Sequence, residues 1–337
     1  MTIDSTIADN GTGAVTLAKS GAGVLTLGSA NSHTGKTLVN GGTLVIADEN
    51  RLGSNPASTV ADQLTINGAT LRTTANFSID DANRGVTLGG GGGTFQTDPG
   101  TTLTVANAIA GTNAQSALTK TGGGILTLTA ANTYAGATTI TAGTLLANNT
   151  SGSATGGGNV VVNGGTFGGT GAITGGVTLN AGGILAPGES IGTLSTGSIE
   201  FTNLLNTQAS ASTFNPELNF AGSADLLSVT GTVTINNAIL NLSFLNIASY
   251  TSPMTFLIVQ NDNSDLVTGQ FGFILNPANY AATLNYAFTG PDSIGRTGTG
   301  NDIAVTISAI VVPEPSGFAL AAIATMAMVR CARRRSR

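Results

Sequence analysis

The chain has 337 residues, of which 48 are glycine, 9% are charged and 41% are hydrophobic, and its formal net charge is −5. Low charge with abundant apolar residues argues against intrinsic disorder. Five arginines among the last eight residues leave an acidic body, which disfavours nucleic acid and anionic lipid as its partners. The single cysteine, Cys331, argues against a disulfide framework and a cysteine-based metal site.

Residues 1–10 have neither the basic region nor the apolar core of a signal peptide. Other features of the chain, described below, indicate export. We therefore expect the natural reading frame to begin further upstream.

A segment at residues 17–44 recurs without a gap at residues 118–145. In this pairing Lys19 corresponds to Lys120 and Asn31 to Asn132, and both copies end in Gly-Thr-Leu. Self-similarity of this kind marks an array of stacked supersecondary units, each of which needs its neighbours to bury its apolar face. The sequence therefore predicts a repeat domain, which we place at residues 11–198.

Within the unit, residues 125–128 and 137–141 alternate apolar or β-branched side chains with small polar ones. This period of two is typical of a strand with one buried face. Short strands separated by Gly or Asn turns predict a parallel β-solenoid, and we expect stacked coils to place Asn31 and Asn132 in register. Further strands are predicted at residues 63–67 and 85–88, and the glycine run at residues 89–93 is interpreted as a corner rather than a phosphate-binding loop.

A third variation of the repeat occupies residues 156–197 and contains Leu-Ala-Pro-Gly-Glu-Ser-Ile-Gly-Thr-Leu at residues 185–194. This phrase resembles a motif of autotransporter passenger domains, and the two earlier units resemble the autotransporter-associated β-strand repeat. The resemblance implies an all-β fold, a right-handed parallel β-helix, exposed at a cell surface or secreted.

The pattern loosens after residue 198. Longer strands are predicted at residues 227–235, 238–245 and 254–259. We expect residues 199–310 to form a β-rich distal module of wider coils or a cap.

The tail, residues 311–337, has three parts: a proline-containing motif, an apolar run at residues 318–329 that predicts a short transmembrane helix, and a basic end. It resembles the PEP-CTERM sorting signal of Gram-negative bacteria. That resemblance implies an exosortase-type enzyme as partner and transient anchoring in the inner membrane, with the end of the chain on the cytoplasmic side. The sorting motif comprises Val312, Pro313, Glu314, Pro315 and Ser316, and the basic tail comprises Arg330, Arg333, Arg334, Arg335 and Arg337.

Candidate catalytic groups are few. Residues 188–192 read Gly-Glu-Ser-Ile-Gly, but a nucleophile elbow needs a strand-to-helix turn and a histidine partner. His33, the one histidine, occupies the repeat position of Tyr134 and is interpreted as structural. We predict no catalytic residue, no cofactor and no metal site.

Two functions are consistent with the sequence. The first is an exported structural or adhesive solenoid at the cell surface or in the extracellular matrix, whose Thr-, Asn- and Ser-rich flat faces contact extracellular polysaccharide. The alternative is a carbohydrate-active β-helix enzyme, a polysaccharide lyase or glycosidase, which would need clustered carboxylates. The acids on which it would depend are Asp80, Asp81, Asp98, Glu189, Asp225, Asp262, Asp265 and Asp302.

Overall fold

The computed structural model describes residues 1–203, 205–250, 253–262, 264–276 and 280–309. These ranges contain β-strands and short 3₁₀ helices at Glu49–Leu52, Gln208–Ser210 and Ile247–Ser249, and no α-helix. No helix in them has the length and apolarity needed to cross a bilayer. The predicted apolar helix, the sorting motif and the basic tail lie outside the described residues.

Twelve short strands precede the second repeat copy. They are β1 (Thr2–Ile3), β2 (Leu17–Lys19), β3 (Val24–Leu27), β4 (Thr37–Val39), β5 (Thr43–Ile46), β6 (Val60–Ile66), β7 (Ala69–Thr73), β8 (Phe77–Ile79), β9 (Arg84–Leu88), β10 (Gly93–Thr97), β11 (Thr102–Val105) and β12 (Ile109–Gly111). Their shortness reflects a chain that turns a corner every few residues.

The remaining strands follow in two groups. The first comprises β13 (Leu118–Thr121), β14 (Ile125–Leu128), β15 (Thr138–Ile140), β16 (Thr144–Ala147), β17 (Val160–Val162), β18 (Gly165–Gly169), β19 (Val177–Leu179), β20 (Gly183–Pro187), β21 (Thr193–Thr196) and β22 (Ile199–Phe201). The second comprises β23 (Thr213–Phe214), β24 (Glu217–Asn219), β25 (Ser223–Ala224), β26 (Leu226–Val229), β27 (Val233–Asn236), β28 (Ile239–Asn241), β29 (Ser243–Leu245), β30 (Met254–Asn261), β31 (Val267–Gln270), β32 (Phe273–Leu275), β33 (Tyr280–Pro291) and β34 (Thr297–Ala309).

Each coil has three faces, because the strands from β6 to β14 follow a fixed cycle of three sheets. The long sheet has twelve strands in the order β1-β3-β5-β7-β10-β13-β15-β17-β19-β22-β27-β31, and the second sheet has nine, in the order β32-β28-β23-β20-β18-β16-β14-β11-β8. The third face combines two five-stranded sheets, β12-β9-β6-β4-β2 and β21-β26-β30-β34-β33. Strands of successive coils pair in parallel along the long and second sheets. The described chain is therefore a parallel β-solenoid, which confirms the predicted all-β class.

The core lies inside the coils, where every second residue of a strand points inward. One inward row of the long sheet consists of Leu44, Leu71, Phe95, Lys120, Ile140 and Val162, all 0% exposed. Burying a large apolar side chain contributes about 1.5–3 kcal/mol, so stacking of such rows is the main source of stability. The row also contains a lysine, Lys120, whose role is described below.

The two repeat copies lie on different faces. Strands β2 and β3 belong to the third face and the long sheet, whereas their counterparts β13 and β14 belong to the long sheet and the second sheet. Asn31 accordingly stacks on the 3₁₀ helix that precedes β6, through its N–H to the Asn50 carbonyl at 2.9 Å, whereas Asn132 lies on the third face beside β12. The expectation that Asn31 and Asn132 stack in register is wrong, because the chain completes four coils and one further face between β2 and β13.

Several predicted strands can be compared directly. The prediction at residues 125–128 coincides with β14, and the glycine run forms the corner before β10, where the Gly92 N–H donates to the Gly89 carbonyl at 2.9 Å. The long strand predicted at residues 227–235 is wrong, since a corner at Gly231 divides it into β26 and β27. The prediction at residues 238–245 is likewise divided into β28 and β29. Apolar alternation continues through these corners, so the sequence pattern does not reveal them.

Coil length varies along the chain and is greatest in the distal part. Hydrogen-bonded neighbours in adjacent coils are 17 positions apart at Asn159 and Gly176 but 34 apart at Ser198 and Thr232. The extra length forms a three-stranded sheet, β25-β24-β29, and an aromatic cluster in which the rings of Phe220 and Phe244 are 5.2 Å apart. Strands β33 and β34 pair antiparallel with each other, and β34 pairs antiparallel with β30 on the third face.

Candidate functional site

A row of threonines runs along the outer surface of the long sheet. Each occupies an outward position, and direct pairing between neighbouring strands places successive side chains about 4.8 Å apart. The threonine row consists of Thr43, Thr70, Thr94, Thr119, Thr139, Thr178, Thr234 and Thr268. Val161 and Glu200 take the intervening positions in its later half. The first five threonines are therefore uninterrupted over five successive strands.

The hydroxyls of this stretch are available to a ligand. Within the described part of the chain, the side chains of the first five threonines of the row make no hydrogen bond, and each of these residues is partly exposed. A hydroxyl can both donate and accept, so a regular row of them suits a flat surface that carries hydroxyl groups of its own.

The charges beside the row neutralise each other. Arg72, one outward position along its strand from Thr70, donates from Nε and Nη2 to the two carboxylate oxygens of Asp98, both at 2.8 Å. This hydrogen-bonded pair holds the pKa of Asp98 below its usual value. The row is consequently a hydroxyl surface with little net charge near its centre.

Two buried lysines hold the corners of the repeats. Lys120 Nζ donates to the carbonyls of Thr121 at 2.7 Å, Gly122 at 2.8 Å and Ala142 at 3.2 Å. Burial lowers the pKa of Lys120 to about 8, because desolvation disfavours the charged ammonium. Lys19 makes the equivalent bonds to the carbonyls of its own corner and the next. These ammonium groups donate to backbone carbonyls at the corners, and they are not positioned to bind a ligand.

The repeat asparagines link three successive coils. Asn132 Oδ1 accepts from the Ile109 N–H at 2.7 Å in the preceding coil, and its Nδ2 donates to the Ala154 carbonyl in the following one. In the first copy, Asn31 Oδ1 accepts from Ile7 N–H at 2.8 Å and its Nδ2 donates to the Arg51 carbonyl at 2.7 Å. Both amides thus form structural contacts through Oδ1 and through Nδ2.

The acids considered for catalysis belong to several coils, and the two buried ones, Asp225 and Asp302, accept hydrogen bonds from backbone N–H groups. Asp225 is buried and accepts from the N–H groups of Gly192 at 2.9 Å and Glu217 at 2.8 Å, and burial raises its pKa to about 7. Asp302 accepts from the Asn261 N–H at 2.7 Å and from Thr299. Among the described residues, no three His, Cys, Asp or Glu side chains come together in a way that could hold a metal ion.

The remaining candidates for nucleophilic chemistry are the Gly-Glu-Ser-Ile-Gly segment, whose Gly192 donates to Asp225, and His33. The segment with the Gly-Glu-Ser-Ile-Gly sequence passes from β20 into β21 through a turn, and Glu189 Oε1 accepts from Asn148 Nδ2 at 2.6 Å. His33 is 0% exposed and contacts the Gly35 carbonyl through Nδ1 at 3.2 Å. His33 therefore lies inside a coil, away from the turn between β20 and β21.

Sequence reasoning expected polar flat faces but did not identify the threonine row. A signal was present, since most of these threonines stand between two inward-facing residues of a short strand, as in Leu118-Thr119-Lys120 and Val177-Thr178-Leu179. What the sequence did not reveal is that these short strands share one sheet.

Comparison with known proteins gives two findings. Residues 17–46 and 118–147 each match the sequence model of the passenger-associated-transport-repeat family. A passage of 135 residues, 40% of this chain, is 40% identical to part of the adhesin BmaC autotransporter of Brucella suis biovar 1 (strain 1330). The match spans only 4% of that adhesin's length. This parallel β-solenoid thus has two segments that match the passenger-associated-transport-repeat model, and over part of its length it is similar to an autotransporter adhesin.

Proposed function

We propose that this protein is an exported adhesive β-solenoid, displayed at the cell surface or in the extracellular matrix, and that it is not an enzyme. The threonine row is the observation that carries the proposal. The hydroxyls of its first five threonines form a regular surface at one spacing, and the neighbouring charges of Arg72 and Asp98 pair with each other. Such a surface suits an extended polymer of neutral sugars. Similarity to part of an autotransporter adhesin supports the same conclusion.

Binding to insoluble neutral polysaccharide tests the proposal. The full chain is expected to bind particles of such polysaccharides or a glycan array, and Thr94→Val/Thr119→Val/Thr139→Val is expected to weaken binding on the order of tenfold or more, since each lost hydrogen bond contributes about 1 kcal/mol. Valine keeps the shape and the β-branched character of threonine, so the strands are retained.

A matched control removes three hydroxyls from another face. Thr104→Val/Thr144→Val/Thr166→Val changes outward residues of the second sheet and is expected to bind like the unaltered protein. Equal loss of binding in the two triple variants would show that the threonine row is not the binding surface. Absence of binding by the unaltered chain to every neutral polysaccharide would remove the adhesive role.

We also propose that Val312 to Ser316 is a sorting motif read by an exosortase-type enzyme, with the apolar run at residues 318–329 as a transient inner-membrane anchor and Arg330 to Arg337 on its cytoplasmic side. This part rests on the resemblance of residues 311–337 to a PEP-CTERM tail. The intact mass of the mature protein from its host tests it. A chain ending near Pro313 is expected, and a membrane-bound chain that still ends at Arg337 would contradict the proposal.

A further inference from the structure

A groove interrupts the third face between its two sheets. Three successive coils, between β14 and β21, cross this face as loops with isolated coil-to-coil hydrogen bonds instead of strands, such as Ala154 N–H to the Ala172 carbonyl at 2.9 Å. The loop after β16, the loop after β18 and strand β21 line an open concavity of about 470 Å³. This volume lies in the range of about 300–1,000 Å³ that is usual for small-ligand sites.

Asparagines fix the walls of the groove. Asn149 is 5% exposed, and its Nδ2 donates to the carbonyls of Ser151 and Gly152, both at 3.0 Å, while its Oδ1 accepts from the Ala172 N–H at 2.9 Å. Asn148 Oδ1 accepts from the Thr170 N–H at 3.1 Å. These bonds tie the two loops together, so the groove is shaped before any ligand arrives.

Hydroxyl groups remain free on the groove surface. Thr150, Ser151, Thr170 and Thr193 are exposed, Ser195 is half-buried, and within the described part of the chain none of their hydroxyls makes a hydrogen bond. No charged side chain lines the groove. Phosphate or carboxylate ligands would find no cation there, and the Glu189 carboxylate is already paired with Nδ2 of the lining residue Asn148 at 2.6 Å.

We infer that this groove binds a short neutral oligosaccharide. A sugar hydroxyl both donates and accepts, as do the five hydroxyls that line the groove, and their pairing needs no charge on either partner. The site lies on the third face, whereas the threonine row lies on the long sheet, so the two sites can be altered separately. The inference therefore does not depend on the row.

Isothermal titration of the full chain with cellotetraose, mannotetraose and chitotriose tests the inference, with trigalacturonate as the charged probe. At least one neutral probe is expected to bind, and Thr170→Val/Thr193→Val/Ser195→Ala is expected to weaken that binding on the order of tenfold or more. Thr170→Ser keeps a hydroxyl and is expected to retain binding.

Two controls separate this site from the proposed adhesion. The row variant Thr94→Val/Thr119→Val/Thr139→Val is expected to keep the soluble oligosaccharide affinity, and the groove variant is expected to keep adhesion to insoluble polysaccharide. Thermal unfolding shows whether each variant is folded, and Thr150→Val in the exposed loop serves as a second probe of the groove. The inference is overturned if no neutral probe binds, if the groove variants bind unchanged, or if trigalacturonate binds equally well.

Discussion

The two repeat copies use the same side chains for the same inner contacts although they lie on different faces of the solenoid. Lys19 and Lys120 each donate to three carbonyls of two successive corners. Asn31 and Asn132 each join the coil before to the coil after. The repeat therefore encodes a corner and its link to neighbouring coils, and any face of the solenoid can carry it.

The copies differ at a buried position whose side chain can form hydrogen bonds. Tyr134 contacts Thr138 through the two hydroxyl oxygens at 2.7 Å, and both residues are fully buried. His33 stands in the equivalent place, and its buried Nε2 has no hydrogen-bond partner among the described residues. The second copy thus satisfies its inner polar atoms better than the first.

Removing the bridging amides tests the shared contacts and has the largest expected effect. Asn132→Ala is expected to lower the free energy of unfolding by about 3 kcal/mol, since a buried N–H and a carbonyl each lose a partner at about 1–3 kcal/mol. Asn31→Ala is expected to cost less, because its Ile7 contact is only part-buried and water can replace the amide. Urea unfolding measures both, with Asn163→Ala, which breaks an exposed pair with Asn180, as control. Equal losses in all three variants would contradict the bridging role.

The buried ammonium of the second copy should make the free energy of unfolding vary with pH in the alkaline range. The pKa of Lys120 is about 8 in the folded chain and about 10.4 in an unfolded one, so between these values the unfolded state binds more protons. Stability is therefore expected to rise from pH 8 to pH 10.5. Thermal melts of Lys120→Met should lose this rise relative to Lys36→Met, which changes a surface lysine. Parallel pH curves for the two variants would contradict the burial of this charge.

The hydroxyl pair of the second copy has a smaller expected effect. Tyr134→Phe should lower the free energy of unfolding by about 1–1.5 kcal/mol, because Thr138 Oγ1 is left buried and unpaired. The double variant Tyr134→Phe/Thr138→Val removes both partners and should recover part of the loss. Denaturant titration of Tyr134→Phe, Thr138→Val, the double variant and the unaltered chain measures this. If the double variant loses as much free energy of unfolding as the two single variants together, the two hydroxyls do not form a stabilising pair.

Replacing His33 has the smallest expected effect, which concerns stability at acidic pH. Burial lowers its pKa, so below about pH 6.5 the unfolded chain takes up a proton that the folded chain does not. Stability is expected to fall as pH decreases through this region, and His33→Phe should lessen that fall. Melting temperatures between pH 7 and pH 5 measure the difference, and Tyr134→Phe serves as the control from the other copy. Identical slopes for His33→Phe and the unaltered chain would refute the assignment.

The amino-acid sequence by itself determined the architecture of the coils. Alternation at residues 125–128 specifies which side chains face inward, and glycines such as Gly92, with a φ of 72°, specify where a corner is allowed. These signals are local, because each depends on the period of a strand or the backbone freedom of one residue. They were sufficient to predict a parallel β-solenoid.

Only the tertiary structure decided which strands share a face. Thr43 and Thr119 belong to the threonine row, yet their counterparts in the other repeat copy, Thr144 and Ala18, lie on the second sheet and the third face. The groove at Thr170 depends in the same way on two loops and strand β21, which stacking brings together. Apolar alternation shows whether a side chain points into the core or outward, but it does not show which of the three faces carries the strand. Coil lengths range from 17 to 34 residues, so equivalent positions of the repeat can fall on different faces.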